Sequence, residues 1–554
     1  MKKQWWHDKV AYQIYPKSFC DSNGDGVGDL KGIISKLDYL KDLGIDIIWL
    51  SPIYKTPFID QGYDIADYYS IDPLFGTMED MEELLTETKK RDMYVLMDLV
   101  VNHCSSEHEW FKKAMEDPDG KYGNYFIIKD GTKEPNNWRS YFGGSVWEKI
   151  PNHDKYYLHL FAKAQPDLNW ENEEVVEEIY KNINWWLEKG LGGFRIDAIV
   201  NIKKDPSYAD LPVDGPDGLG DARHMLPKAE GLMKALKDMK EKTFDRYGAF
   251  ALAELFDYNE EQLNDFIGED GCFDSIFDFS TDLIGKSGKG WYDNKAVSPK
   301  EYRDTIFNSH KMSDNVGYMT NIIENHDEPR GASRYIPKEH LNDTSKKLLA
   351  TILMMRKGLP FLYQGQEIGM TNCKWNSIDE IDDIASIDQY HVALQAGYSE
   401  KEALGFLEEY SRDNARTPMQ WSDDHQAGFT SGTPWLKVNP NYTDINVKSQ
   451  EKQENSVLNH YKQLISLRKQ PEYQDVIVYG DLIPAYENTE EIFAFYRKND
   501  EKTLLVIGNM SGNVGTVNVK ENIKAVLSNN IEQLEQDGGQ ITLKPYQAVV
   551  LELE

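Results

Sequence analysis

The sequence has no apolar run long enough to cross a membrane, and none near its start of the length that secretory signals have. Cysteine is also scarce in the 554 residues. Cys20, Cys104, Cys272 and Cys373 are scattered, without the spacing of a disulfide framework. We therefore expect reduced thiols in a cytoplasmic protein that does not bind membranes.

Positively charged residues are also few in comparison with negatively charged ones. Lys and Arg number 61 against 93 Asp and Glu, so the formal net charge is −32. Such a chain repels phosphate groups, which argues against nucleic acids and anionic membranes as partners. This charge fits a soluble protein with a neutral substrate. Hydrophobic residues at 40% and aromatic residues at 12% indicate a folded protein, and the length predicts about two to four domains.

Eight short apolar segments alternate with segments of helical periodicity. This alternation predicts an α/β fold, a (β/α)8 TIM barrel of parallel strands. The predicted strands are residues 10–15, 45–50, 94–101, 193–197, 249–253, 272–277, 318–323 and 359–363.

Two irregular segments interrupt the barrel pattern. The first is rich in Asn, Asp, Gly, Pro and Trp and predicts a subdomain inserted after strand 3, and the second lies after the last strand. Short strands between turn-rich stretches at the end of the chain predict an all-β sandwich. The predicted order is an N-terminal barrel segment, the inserted subdomain, a central barrel segment, the second insertion, the last barrel helix and the sandwich, at residues 1–103, 104–172, 173–370, 371–455, 456–475 and 476–554.

Three of the predicted strands are followed by, or end in, an acidic residue. These are Asp197, Glu254 and Asp327. Because the carboxyl ends of parallel barrel strands meet at one face, we expect the three side chains to share one mouth. Two carboxyl groups are the minimum needed to break a glycosidic bond with a nucleophile and a proton donor.

Around these acids lie motifs that resemble the α-amylase family, family 13 of the glycoside hydrolases, over nearly the whole chain. Three further segments are similar to its oligo-1,6-glucosidase and α-glucosidase branch. The family motifs are Asp98-Leu99-Val100-Val101-Asn102-His103, Gly193-Phe194-Arg195-Ile196-Asp197, Glu254 and Asn325-His326-Asp327. The branch segments are Asp60-Gln61-Gly62-Tyr63-Asp64, Gln165-Pro166-Asp167-Leu168-Asn169 and Ser411-Arg412-Asp413-Asn414-Ala415-Arg416-Thr417-Pro418.

The resemblance implies catalytic roles for the three acids. Asp197 would be the nucleophile, held ionised by Arg195 two positions earlier on the same strand. Glu254 would be the general acid and later the general base, and its apolar flanks favour the protonated form that an acid needs. Asp327 would bind the 2- and 3-hydroxyls of the sugar.

The resemblance also implies a set of substrate contacts. Asp60 and Arg412 would close the far end of the pocket around the terminal glucose, so that one glucose is released at a time. Tyr63 would stack on that sugar, and the histidines would donate to its hydroxyls. The full predicted set is Asp60, Tyr63, Asp98, His103, Phe161, Arg195, Ala198, His326 and Arg412.

A segment near the start follows the first nine positions of a calcium loop, with a glycine at the sixth position. The twelfth position is Gly32 where an EF-hand needs Glu, so the segment is not an EF-hand. Relatives hold Ca²⁺ or Mg²⁺ in a similar loop, which implies a structural ion here and no organic cofactor. The predicted ligands are Asp21, Asn23, Asp25, Val27 through its carbonyl, and Asp29.

The expected function is thus that of a retaining exo-acting α-glucosidase on short α-linked gluco-oligosaccharides. The residue after the nucleophile is commonly Val in α-1,6-acting relatives and Thr or Ala in α-1,4-acting ones. Ala198 therefore favours α-1,4 or mixed specificity, by a margin of about 1–3 kcal/mol. The oligomeric state is left open.

Other functions of this branch stay open as alternatives. Trehalose-6-phosphate hydrolysis would require a cluster of Lys or Arg for the phosphate, and no convincing cluster is recognisable. Sucrose isomerases often carry an Arg-Leu-Asp-Arg-Asp segment, which this chain lacks, and transglycosylation is open to any retaining enzyme. A non-catalytic interaction protein, like transporter heavy chains, would lack the acids and carry a membrane helix.

Overall fold

The computed structural model describes residues 2–215, 217–256 and 258–554. Eight parallel strands form a closed barrel in chain order, and the C-terminal region is a separate all-β structure. The predicted fold class is confirmed. The barrel strands are β1 (Ala11–Ile14), β2 (Ile47–Leu50), β3 (Tyr94–Val100), β4 (Gly193–Asp197), β5 (Phe250–Ala253), β6 (Ser275–Asp278), β7 (Thr320–Asn321) and β8 (Leu359–Tyr363).

The strand predicted at 318–323 is much shorter in the structure, since β7 contains only two residues. Both are buried, and the flanking Tyr318 and Met319 are buried as well. The buried segment is therefore longer than the part of it that pairs with the neighbouring strands. The apolar pattern in the sequence reflects burial of the segment more than strand pairing.

Helices cover much of the remaining chain. They are Leu30–Ser35, Leu37–Leu43, Met78–Lys90, Glu109–Glu116, Glu173–Glu188, Leu232–Lys242, Phe244–Tyr247, Glu260–Ile267, Pro299–Ser313, Gly331–Tyr335, Asp343–Met355, Ile384–Gln395, Glu400–Tyr410, Asp413–Arg416, Val447–Gln450, Val457–Lys469 and Pro471–Val478. Among the described residues, no helix has the length and apolar character needed to span a membrane.

Both segments predicted to be irregular contain regular structure. The first holds helix Glu109–Glu116 and a small antiparallel sheet of Ile128–Asp130, Trp147–Lys149 and Lys155–Leu158. The second holds helices Ile384–Gln395 and Glu400–Tyr410. A capping box marks the start of the latter helix, because Ser399 and Glu402 each accept the other's backbone N–H. That signal was present in the sequence.

The C-terminal region begins after helix Pro471–Val478 and contains two antiparallel sheets. Apolar side chains from both sheets form one core. The five-stranded sheet consists of Asp481–Ala485, Ile492–Lys498, Thr503–Asn509, Ala548–Leu553 and Ile523–Asn529, and the three-stranded sheet of Gly515–Asn518, Gln540–Leu543 and Glu535–Asp537.

Of these eight strands the sequence predicts four, at residues 492–496, 503–507, 516–519 and 548–553. Asp481–Ala485 was obscured by Pro484, which is tolerated because that strand is at the edge of its sheet. Ile523–Asn529 is only partly buried, so it lacks the apolar alternation by which strands are recognised.

The chain divides into two compact units. The larger unit comprises residues 1–48, 90–93 and 277–554, and the smaller unit residues 49–89 and 94–276. The acidic strand ends Asp197 and Glu254 belong to the smaller unit, and Asp327 belongs to the larger.

Candidate active site

One arginine organises the acidic residues of the smaller unit. Strand register places Arg195 of β4 opposite Asp98 of β3. Arg195 Nη1 donates to Asp98 Oδ1 and to Asp197 Oδ1, each at 2.7 Å, and its Nη2 lies 2.7 Å from Glu254 Oε1. These four residues are called the acid cluster. Its three carboxylates share one guanidinium, which leaves the cluster with excess negative charge.

Aromatic residues fix the base of the acid cluster. Trp49 Nε1 and the Tyr63 hydroxyl each donate to Asp98 Oδ2 at 3.1 Å. The guanidinium carbon of Arg195 lies 5.1 Å from the centre of the Trp49 ring. Burial raises the pKa of Asp98 to about 6, although the Arg195 charge acts in the opposite direction. Burial acts to lower the pKa of Arg195, but the nearby carboxylates outweigh it and raise this pKa above its usual value.

Glu254 has both apolar and charged surroundings. Of its apolar flanks, Leu252 and Leu255 are buried, whereas Phe256 is 48% exposed. Arg195 contacts the carboxylate directly. The role of Glu254 as general acid stays a prediction.

Ala198 directly follows the acid at the end of β4 and has a left-handed backbone with φ of 42°. This region is unfavourable for residues with a Cβ by about 1–2 kcal/mol. The conformation turns the Ala198 amide towards Glu254, whose Oε2 accepts its hydrogen at 3.3 Å. The sharp turn thus links the end of β4 to the residue that follows β5.

The other substrate contacts predicted for the smaller unit are joined by Gln165. Gln165 Nε2 donates to Asp60 Oδ2 at 3.0 Å. The carbonyl of Tyr63 lies 3.0 Å from His103 Nε2, and the His103 ring centre lies 5.0 Å from that of Phe161. Burial lowers the pKa of His103, so its imidazole is neutral. The structure brings all four predicted residues together around a glutamine to which the sequence assigned no role.

In the larger unit, Asp327 lies among positively charged and neutral donors. Arg412 Nη1 and Arg416 Nη2 each lie 3.0 Å from Asp327 Oδ1. His326 Nδ1 is 2.8 Å from the amide nitrogen of Gln13, which donates to it, so His326 Nε2 carries the proton donated to Asp327 Oδ2 at 3.0 Å.

A second carboxylate, Asp383, completes this group. Arg412 Nε donates to Asp383 Oδ1 at 2.9 Å, and Arg416 Nη1 is 3.6 Å from the same oxygen. Burial opposes ionisation of Asp383, but the two arginines outweigh it and hold the pKa well below its usual range. We refer to His326, Asp327, Asp383, Arg412 and Arg416 as the arginine cluster.

Arg412 and Asp413 are neighbours of opposite charge, but they do not form an exposed ion pair in a loop. Asp413 is 1% exposed and accepts the amide hydrogens of Asp382 and Asp383. Arg412 binds Asp327 and Asp383. An exposed surface pair is thus excluded, and the predicted closure of a pocket by Asp60 and Arg412 stays a prediction.

The segment predicted to hold a cation is closed by its own hydrogen bonds. Asp21 Oδ1 accepts the amides of Asn23 and Gly24 at 2.9 and 2.8 Å, and Oδ2 accepts that of Gly26 and the Thr430 hydroxyl. Burial acts to raise the pKa of Asp21, but these hydrogen bonds outweigh it and lower the pKa.

The other side chains predicted as ligands also accept hydrogen bonds within the chain, and Asp29 Oδ2 accepts both the amide and the hydroxyl of Ser22. Asn23 and Asp25 each accept one backbone amide through Oδ1, and Asp29 caps helix Leu30–Ser35. Among the described residues, no group of three or more His, Cys, Asp or Glu is arranged to hold a metal ion. The structural cation therefore remains a prediction.

Four residues in or beside the two clusters were not predicted as site residues. Trp49 lies one residue before the end of a predicted strand, in a position typical of a core residue, and Asp383 lies in a segment that was predicted to be irregular. Gln165 and Arg416 lie within two of the branch segments, but no role was predicted for either residue. The spacing of Arg412 and Arg416 was an available signal, because residues four apart share one face of a helix.

Comparison with known proteins agrees with this arrangement. Residues 13–480 match the family model of the α-amylase catalytic domain, and residues 492–550 match that of the C-terminal domain of the α-amylase SusG. The oligo-1,6-glucosidase of Bacillus cereus is 42% identical over 563 residues, covering 100% of both chains. The trehalose-6-phosphate hydrolase of Bacillus subtilis is 38% identical, covering 99% of this chain and 98% of the relative.

Solved structures show the same likeness. The trehalose-6-phosphate hydrolase of Bacillus licheniformis has a TM-score of 0.92 at 38% identity, and the trehalulose synthase of Pseudomonas mesoacidophila has 0.93 at 36%, both covering 100% of each chain. Together with the barrel and the family motifs at its strand ends, these matches identify the chain as a member of the α-amylase family of glycoside hydrolases, family 13, in its oligo-1,6-glucosidase branch.

Proposed function

We propose that this protein is a retaining, exo-acting α-glucosidase that releases terminal glucose from short α-linked gluco-oligosaccharides. The observation that carries the proposal is the shared guanidinium of Arg195, which holds Asp197 and Glu254 through its two terminal nitrogens. Retaining enzymes need carboxyl groups about 5–5.5 Å apart, and a single guanidinium between them supports such close spacing over the wider spacing of inverting enzymes.

In the first step Asp197 attacks the anomeric carbon and forms a glucosyl ester, while the bond to the leaving oxygen breaks. Glu254 gives its proton to that oxygen. In the second step Glu254 takes a proton from water, the water oxygen bonds to the anomeric carbon, and the ester bond to Asp197 breaks. Because Arg195 favours the ionised form of Glu254, that contact must weaken when Glu254 takes up the proton it donates.

The excess negative charge of the acid cluster suits the transition state of both steps, in which positive charge develops on the sugar ring. The arginine cluster suits neutral sugar hydroxyls, since Asp327 can accept from them while Arg412 donates. Arg412 is proposed to bind the terminal glucose that the enzyme releases. The likeness to relatives named oligo-1,6-glucosidases supports an α-1,6 activity, and Ala198 supports an α-1,4 activity beside it.

The experiment that tests the function is a side-by-side measurement of kcat/KM on isomaltose, maltose, sucrose and trehalose-6-phosphate. NMR should show the α-anomer of glucose as the first product. We expect isomaltose or maltose to be the best of these substrates. A first product in the β-form would overturn retention, and preference for trehalose-6-phosphate or conversion of sucrose into an isomer would assign the chain to another activity of its branch.

We also propose that the loop from Asp21 to Asp29 binds Ca²⁺ or Mg²⁺. Its oxygen donors are those that such cations prefer, and the ion would stabilise the loop away from the chemistry. If so, chelation should lower the melting temperature and leave kcat at low temperature unchanged. An immediate loss of activity without unfolding would contradict a structural role, and an unchanged melting temperature would contradict binding.

A further inference from the structure

The smaller unit contains a cavity of about 510 Å³ that none of the proposed chemistry uses. It lies between the two-stranded sheet Tyr54–Lys55 and Asp67–Ile71, the helix Glu109–Glu116 and the helix Glu173–Glu188. Its volume is in the range of about 300–1,000 Å³ that small-molecule sites occupy. We call it the side cavity.

Aromatic rings line the side cavity. Tyr69 is 40% exposed, Trp110 is partly exposed, and Tyr68 is buried. The Tyr69 ring is supported edge-on by Trp185, with ring centres 5.2 Å apart. The Trp110 ring packs edge-on against Tyr125 at the same distance. An exposed aromatic ring that is held in place offers a flat apolar face, as the C–H face of a pyranose needs.

A hydrogen-bond donor and an acceptor complete the lining. His108 Nδ1 accepts the amide hydrogen of Trp110 at 3.1 Å, which leaves the ring proton of the neutral imidazole on Nε2. Burial lowers the pKa of His108 to about 4, so the ring is neutral near pH 7. Asn182 Nδ2 donates to the carbonyl of Tyr68 at 3.1 Å.

The acceptor is the carbonyl oxygen of the same asparagine. Asn182 is 4% exposed, and its Oδ1 has no hydrogen-bond partner among the described residues. A buried acceptor without a partner costs free energy, and a ligand hydroxyl would remove that cost. Each sugar hydroxyl can both accept and donate a hydrogen bond. The donor on His108 and the acceptor on Asn182 can therefore bind two neighbouring hydroxyls of one sugar.

The charges around the side cavity favour a neutral ligand. Glu107 is paired with Lys112 at 2.6 Å, and Glu178 with Lys181 at 2.8 Å. Asp67 accepts the Tyr69 amide at 2.9 Å. Glu109, which also lines the cavity, is paired with Lys113, and Lys55 adds a positive charge to the lining. Because each lining glutamate has a lysine partner, little charge is left to attract an anion or a polyamine.

We propose that the side cavity is a second carbohydrate site, which binds one glucosyl unit of a short α-glucan away from the acid cluster. The neutral, polyhydroxylated class of ligand follows from the cavity itself, and only the choice of glucose rests on the proposed function. Tyr69 and Trp110 contact the ring face, His108 donates to one hydroxyl and Asn182 accepts from another.

The test is calorimetric titration with isomaltotriose of the Asp197→Asn protein, which prevents turnover. We expect two binding sites. Adding Tyr69→Ala should weaken one of them about tenfold, corresponding to about 1.4 kcal/mol, and leave the other unchanged. Tyr94→Ala is the matched control, because Tyr94 is equally exposed at 40% and does not line the cavity.

His108→Asn provides an independent variant that retains the fold. Asparagine is a good N-cap, so the start of helix Glu109–Glu116 is preserved while the Nε2 donor is lost. It should weaken the same site as Tyr69→Ala does. A single site, or two sites that neither variant affects, would overturn the proposal, as would displacement of the sugar from this site by spermine.

Failure of this inference can be told apart from failure of the proposed function. Wild-type protein that hydrolyses isomaltose but binds isomaltotriose at one site in the Asp197→Asn form would refute only the second site. Wild-type protein without glucosidase activity whose second site still responds to Tyr69→Ala would refute only the function. Tyr69→Ala in the otherwise wild-type chain should keep kcat on isomaltose.

Discussion

The acid cluster and the arginine cluster both combine buried carboxylates with arginine, but in opposite proportions. In the acid cluster three carboxylates share Arg195, whereas in the arginine cluster two carboxylates have two arginines. Each cluster also contains hydrogen bonds from side chains without positive charge. Trp49 and Tyr63 donate to Asp98, and His326 donates to Asp327. The same residue types thus yield a site with net negative charge and one that is nearly balanced.

This difference separates two tasks. A negative site stabilises positive charge that develops during a reaction. A balanced site has no such preference for charge and presents fixed donors and acceptors to a neutral sugar. We therefore assign the chemistry to the acid cluster and recognition to the arginine cluster. Four predictions test this division.

Asp197→Asn should reduce kcat/KM on the preferred substrate by a factor on the order of 10⁴, because the proposed nucleophile is lost. The loss should be in kcat, with sugar binding retained. Steady-state kinetics and calorimetric titration measure the two quantities. If kcat fell by less than about tenfold, the acid cluster would not be the site of the chemistry.

Arg412→Ala should lower kcat/KM by about a hundredfold, equivalent to about 2.7 kcal/mol, since it removes donors from Asp327 and Asp383. The effect should appear mainly in KM, as expected for recognition. Arg412→Lys is the matched control. It keeps the positive charge but loses the planar guanidinium with its paired donors, so its kcat/KM should lie between those of the wild type and Arg412→Ala. Near-normal kcat/KM for Arg412→Ala would show that the pocket is closed elsewhere.

The two clusters should also respond differently to pH. The raised pKa of Asp98, about 6, means that the folded state binds this proton more tightly than the unfolded state does. Its contribution to stability is therefore favourable at low pH and is lost as pH rises towards 6. The pKa of Asp383 is depressed in the folded state. Its contribution to the free energy of unfolding is therefore fully present at pH values above the ordinary pKa of Asp and is lost only as the pH falls towards the depressed value.

Comparison of urea unfolding at pH 4.5 and pH 7 tests this difference. Relative to wild type, Asp98→Asn should gain about 2 kcal/mol of stability between the lower and the higher pH, because Asn has no proton to lose. Asp383→Asn should show a constant difference over the same range. Equal behaviour of the two variants would contradict the contrast in charge between the clusters.

Ala198→Val should change the ratio of kcat/KM for isomaltose to that for maltose by about tenfold in favour of isomaltose, as a small difference in pocket shape permits. A β-branched residue with φ near 42° is also strained, so the melting temperature should fall. Ala198→Gly separates the two effects, because it relieves the strain without adding bulk and should leave the ratio nearly unchanged. An unaltered ratio for Val would remove Ala198 from the determinants of linkage.

The sequence predicted the barrel and most of the cluster residues because their signals are local. Parallel strands buried on both faces give continuous apolar segments, and residues at strand ends stand directly after them. Asp383 could not be predicted in this way, because only the fold brings it to Arg412. The contact between Glu254 and Arg195 could not be predicted for the same reason, since Leu252 and Leu255 are close to Glu254 in sequence whereas Arg195 approaches from another strand.

The pairing of β1 with β8 also has a consequence for synthesis of the chain. Ala11 pairs with Phe361, so about 350 residues must leave the ribosome before this edge of β1 finds its partner. At about 5–20 residues per second, the interval lasts on the order of tens of seconds. During that time an apolar strand edge is open to other nascent chains. Slower translation late in the message should therefore increase aggregation, and a chaperone that covers the first strand should relieve it.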